Sequence, residues 1–159
     1  MRFCLIIMAL ACLYQPSNAL GAKPNPQDVY ACFEAQDRAR TCFRAIYAPC
    51  GKWLKPKTYD LFSSCLRGLR NAWGTRSKGA LGQETATRSD VEARQIQASV
   101  EKLKSTLRPE CRSVADLDTG IVHLRDVPER ICAVFVNAMI AYLIENKPES
   151  LLTGDGAEI

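Results

Sequence analysis

The run Ile131-Cys132-Ala133-Val134-Phe135-Val136-Asn137-Ala138-Met139-Ile140-Ala141-Tyr142-Leu143-Ile144 decides the fold, and Asn137 is its only strongly polar side chain. A helix that is apolar on every side cannot lie on a water-facing surface, so other elements must enclose it. The run has 14 residues, short of the roughly 20 that a bilayer span needs. A polar tail follows it, which does not fit a glycolipid-anchor signal. It is read as the central helix of an all-α bundle, opening near Asp126-Val127-Pro128-Glu129 and closing at Asn146-Lys147-Pro148. Two other uses of its faces stay open: contact with a partner or second copy, and one wall of a cavity holding a small apolar ligand beside Phe135, Met139 and Tyr142.

Working outward, three further helices carry start and stop signals. The first is predicted over 26–47, with Asn25 as N-cap, Pro26 in the first turn and Asp28 at the positive dipole end; Pro49 closes it. The second is predicted over 58–73, with Thr58 as cap, an apolar stripe of Tyr59, Phe62, Cys65, Leu66, Leu69 and Trp73, and Gly74 as the stop. The glycine-rich and Ser/Thr-rich stretch from Gly74 to Arg88 reads as a flexible loop. The third opens on a capping box, Ser89-Asp90-Val91-Glu92, and continues to Leu107, where Pro109 stops it. A short helical turn is also expected around 113–125, and 148–159 reads as a disordered tail. The whole is a disulfide-stapled bundle of about four helices, with the apolar C-terminal helix at its centre.

Residues 1–19 have the parts of a secretory signal peptide: Arg2 as the n-region, an apolar run from Phe3 to Leu13, and Ser17-Asn18-Ala19 before the cut. Cleavage there removes Cys4 and Cys12. Six cysteines remain, Cys32, Cys42, Cys50, Cys65, Cys111 and Cys132, and an even number in a short exported chain implies three disulfides. The expected location is therefore secreted and extracellular, without a transmembrane anchor. A single domain over 20–147 is large enough to build its own core, so the bridges reinforce that core rather than replace it. If Cys32 and Cys42 share one helix, they stand about 15 Å apart and cannot bond. A hairpin turning near residue 50 sets Cys32 opposite Cys65, and that bridge is expected. Cys42, Cys50, Cys111 and Cys132 then allow three arrangements.

Net charge is mild, at +4, but unevenly spread. Residues 20–80 hold eleven basic and four acidic side chains, whereas residues 81–159 hold nine and thirteen. Lys52, Lys55, Lys57, Arg67, Arg70, Arg76 and Lys78 face Asp60 alone in their stretch, so this segment is a candidate polyanion-binding surface.

Catalytic and metal chemistries find little support. His123 is the only histidine, and the cysteine gaps lack the close pairs that zinc sites use. Cysteine–histidine catalysis needs a free thiol, which the cysteine parity removes. No Gly-x-Ser-x-Gly, His-Glu-x-x-His or phosphate-binding Gly-x₄-Gly-Lys pattern occurs, and Asp126 is read as a helix cap. No catalytic residue, metal or cofactor is expected. The leading expectation is a secreted, non-enzymatic interaction protein that binds an extracellular protein or receptor. The alternatives are a carrier of an apolar ligand and a polyanion binder.

Overall fold

The computed structural model describes residues 23–35, 42–119 and 126–154. The segment expected to be a signal peptide, His123 and the last five residues lie outside that set, and part of the turn expected at 113–125 does too. The described chain is all-α: α1 (Pro26–Ala35), α2 (Phe43–Tyr47), two 3-10 segments (Ala48–Trp53 and Pro56–Thr58), α3 (Tyr59–Ala86), α4 (Asp90–Thr119), α5 (Asp126–Asn146) and α6 (Pro148–Thr153).

The apolar run forms α5, and α5 is the centre. Ile131, Val134, Ala138, Ala141 and Leu143 have no exposed surface, because α3 packs along one side of α5 and α4 along another. α1 and α2 close a further side with rings: Phe33 and Phe43 lie 6.0 and 5.0 Å from Phe135, and Phe33 lies 5.4 Å from Tyr142. At 21 residues α5 is long enough to cross a bilayer, against the expectation from its apolar run alone, but 78% of its most apolar window is covered by the rest of the protein. Length fits a membrane span; the packing is that of a core helix.

α3 and α4 form an antiparallel hairpin turning at 87–89, where Arg88 pairs with Glu84 at 2.8 Å and with Glu149 of α6 at 2.5 Å. The capping box forms at the start of α4: the Ser89 N–H donates to Glu92 Oε2 at 3.0 Å, and the Glu92 N–H donates to Ser89 Oγ at 3.4 Å. These hydrogen bonds hold the Glu92 carboxyl below its ordinary pKa. Thr58 flanks the start of α3 but does not cap it; its hydroxyl donates to the Trp53 carbonyl at 2.9 Å.

Five further expectations are corrected. α3 does not stop at Gly74 but continues to Ala86, so the flexible loop of 74–88 is largely helix. Beyond Trp73 its inner face continues through buried Ser77 and half-buried Ala80 and Leu81, a stripe that small residues disguise. α4 runs through Pro109 to Thr119: proline removes one helical hydrogen bond, but the bridge from Cys111 to Cys132 of α5 anchors the turn beyond it. The predicted 26–47 helix is not one piece, since Cys32 and Cys42 stand 5.8 Å apart, Cα to Cα, where a continuous helix would hold them at about 15 Å. The disulfides are Cys32–Cys42, Cys50–Cys65 and Cys111–Cys132, so the expected Cys32–Cys65 bridge is replaced by pairing of sequence neighbours. Finally, 148–153 is helix, with Leu151 1% exposed and Gly154 ending it in the left-handed region at φ 82°.

Candidate functional site

One face of α5 is uncovered over its first half. Asp126, Glu129, Arg130, Ala133 and Asn137 are exposed or half-buried, while the residues between them are buried. Their spacing of three and four places them on a single helical strip. Beside that strip lies a half-open cleft of about 700 Å³, walled by Arg70 of α3 and by Arg108 and Pro109 of α4, with Cys132 at its edge. α3 runs parallel to α5 and α4 antiparallel to it, so the cleft sits away from the tight 87–89 turn, where the start of α5 meets the later part of α4.

The charges in the cleft are mixed. Arg70 and Arg108 are exposed and have no ion pair among the described residues. Arg130 stands 4.0 Å from Asp126 across one turn of α5, and Glu129 adds a second carboxylate. Asn137 closes the strip by donating from Nδ2 to the Arg70 carbonyl at 3.3 Å, which fixes the backbone from which Arg70 projects. Three arginines and two carboxylates thus stand around this one cleft. It can bind by charge pairing and hydrogen bonding, with arginine forks suited to carboxylate groups.

The seven basic residues singled out from the sequence do not form one surface. Arg70 enters the cleft. Arg67 and Lys78 are exposed along α3, and Lys52, Lys55 and Lys57 project from the segment before it. Cys50 pins that segment to Cys65, and Cys65 and Arg67 point about 200° apart around α3. The lysine segment and Arg67 therefore belong to different sides of the helix. Arg76 faces elsewhere again: its Nε and second terminal nitrogen grip Glu145 at 2.7 and 2.6 Å, and Nε also donates to the Tyr30 hydroxyl at 3.1 Å. Tyr30 donates in turn to Glu145 at 3.1 Å. Burial, reinforced by the Glu145 charge, pushes the Tyr30 hydroxyl up to about 12.

Phe135, Met139 and Tyr142 are all buried, and rings from Tyr30, Phe33 and Phe43 occupy the space beside Phe135 and Tyr142. Among the described residues the exposed large hydrophobics are Leu61 and Val91. These begin α3 and α4, and the hairpin is antiparallel, so they lie at opposite ends of helices roughly 40 Å long. These two exposed side chains therefore do not adjoin one another. Arg108, Glu129 and Arg130 were not singled out from the sequence, and Asp126 was read only as a cap; the 126/129/130/133/137 periodicity within an otherwise buried helix is the signal that marks them. All six cysteines of the 20–159 region are in disulfides, so none offers a thiol nucleophile. Comparison with protein-family models, with curated proteins and with solved structures gives no match.

Proposed function

We propose that the chain is a secreted, non-enzymatic interaction protein that binds an extracellular protein or receptor through polar, charge-paired contacts at the arginine-lined cleft. The observation that carries this reading is the uncovered strip of α5: this largely buried, apolar helix keeps one polar face, and that face adjoins two arginines that have no ion-pair partner among the described residues. The cleft's volume lies in the range that small ligands and short peptide segments fill. Its own Asp126 and Glu129 would repel a uniform polyanion, whereas a protein surface can offer both signs of charge. Three intramolecular disulfides suit an oxidising compartment. The ring packing around Phe135 and Tyr142 favours this reading over an apolar-ligand carrier.

The test is crosslinking and mass spectrometry of the tagged protein on cells that secrete it, beside an Arg70→Glu/Arg108→Glu variant. The wild type is expected in the medium without residues 1–19, crosslinked near the cleft to a partner whose recovery the variant loses. Equal recovery with both proteins, or retention of the chain inside the cell, overturns the reading.

A further inference from the structure

The segment between the Cys50 bridge and α3 is built more firmly than a connection requires. The Leu54 N–H donates to the Gly51 carbonyl at 3.0 Å, the Lys55 N–H to Trp53 at 2.8 Å, and the Thr58 N–H to Lys55 at 3.0 Å. The Thr58 hydroxyl closes the loop onto Trp53. Leu54, at φ −76° and ψ 65°, is the centre of an inverse γ-turn. Pro49 and Pro56 stiffen the flanks, and Cys50–Cys65 ties the loop to α3.

Three ammonium groups project from this closed loop. Lys52, Lys55 and Lys57 are exposed and have no carboxylate partner among the described residues. Lys52 is held over the Trp53 ring, with Nζ 4.2 Å from its centroid. From residue 38 to residue 83 the sequence has one acidic residue, Asp60.

We propose that this lysine knuckle is a binding site for sulfated polysaccharide, separate from the cleft; it rests on the extracellular location proposed above. A fixed loop presenting three unpaired cations gives a linear anion a site whose ordering cost is already met. Sulfate groups along such a chain are complementary in charge to these exposed ammonium groups. A lipid surface fits less well. Trp53 and Leu54 are half-buried against the core and leave little apolar surface to insert, and the anionic leaflet of a plasma membrane faces the cytoplasm.

The experiment measures binding of the full secreted protein to immobilised heparin, to desulfated heparin and to phosphatidylserine-containing vesicles at about 150 mM salt. Two triple variants accompany it: Lys52→Gln/Lys55→Gln/Lys57→Gln, and Arg67→Gln/Lys78→Gln/Lys102→Gln, which removes the same charge elsewhere. Heparin binding is expected to weaken about tenfold or more in the first and less than about threefold in the second, with unchanged melting temperatures and little binding to the other two probes. Equal losses in both triples, failure of the wild type to bind heparin, or equal binding to desulfated heparin or vesicles overturns the proposal. Arg70 and Arg108 are intact in both variants, so partner recovery at the cleft reports separately.

Discussion

Gly74, Gly79 and Gly82 share one helix but not one role. An added Cβ at Gly79 or Gly82 would meet nothing within 4 Å, whereas at Gly74 it would lie 3.3 Å from Asn137 Nδ2. Gly74 therefore marks a close approach of α3 to α5, and nearby Asn137 reaches the Arg70 carbonyl. Gly79→Ala and Gly82→Ala should each stabilise the protein by up to about 1 kcal/mol, through the better helix propensity of alanine. Gly74→Ala has the same propensity gain, but it displaces Asn137 and its hydrogen bond, about 1 kcal/mol in the opposite direction. In urea unfolding it should fall clearly below the other two; equal gains at all three sites would show that the close approach carries no energy. Tyr30 gives a second test at this scale. Its hydroxyl is raised to about 12, so the folded state keeps a proton that the unfolded state releases near pH 10. The sign follows from that difference: the stabilisation is complete below pH 10 and is lost as pH rises towards 12. Absorbance titration should show one tyrosine ionising late, and Tyr30→Phe should remove that step. Asn137 and Tyr30 show what sequence leaves out. A lone polar residue in an apolar run is visible, but the carbonyl it reaches, 67 residues away, is not.

α6 lies where a disordered tail was expected, and its docking has identifiable causes. Leu151 is 1% exposed. The Ser99 hydroxyl donates to the Leu151 carbonyl at 2.6 Å, and Gln95 donates to Leu152. Glu149 pairs with Arg88 across the 87–89 turn. Leu151→Ala should destabilise by about 2–3 kcal/mol, within the range for buried leucines. Glu149→Ala removes only an exposed pair and should cost less than about 1 kcal/mol. Thermal unfolding of the two variants checks this, and similar small losses would mean that α6 is not seated on the core. The sequence hides this element because six residues, PESLLT, are too few to display a helical period. Length worked the other way for α5, whose apolar run announces a buried helix. The second half of α3 escaped for a chemical reason: Ser77 and Ala80 continue the inner stripe with small side chains, so its periodicity is faint to a hydrophobicity reading. The cleft was legible in part. Asp126, Glu129, Arg130, Ala133 and Asn137 recur at helical spacing, but their walls, Arg70 and Arg108, come from two other helices that only the tertiary packing brings alongside.

No bridge connects the basic first half of the chain to the acidic second half. Cys32–Cys42 and Cys50–Cys65 close loops of 10 and 15 residues within the first, and Cys111–Cys132 closes one of 21 within the second. The halves are joined instead by α5 lying along α3, and by the hydrogen bonds that Arg76 and Tyr30 each donate to Glu145. Two consequences can be measured. Peptide mapping without reduction should find the three neighbour pairs; a Cys32–Cys65 peptide would refute the α1–α2 arrangement. Replacing each pair by alanines should cost about 3 kcal/mol, because loop-closure entropy varies little between loops of these lengths. Cys50 and Cys65 are completely buried whereas Cys32 is half-buried, so the loss at 50–65 should exceed that at 32–42 by the cavity left behind. A domain of this size typically has about 5–15 kcal/mol in total, so each single-pair variant should still fold, while removal of all three bridges approaches or exceeds the reserve. The shape of the transition is then informative. If α5 on α3 unites the halves, each single-pair variant unfolds in urea in one step at a lower midpoint. Two separated steps would mean that the halves fold independently and that the apolar helix is not the shared core.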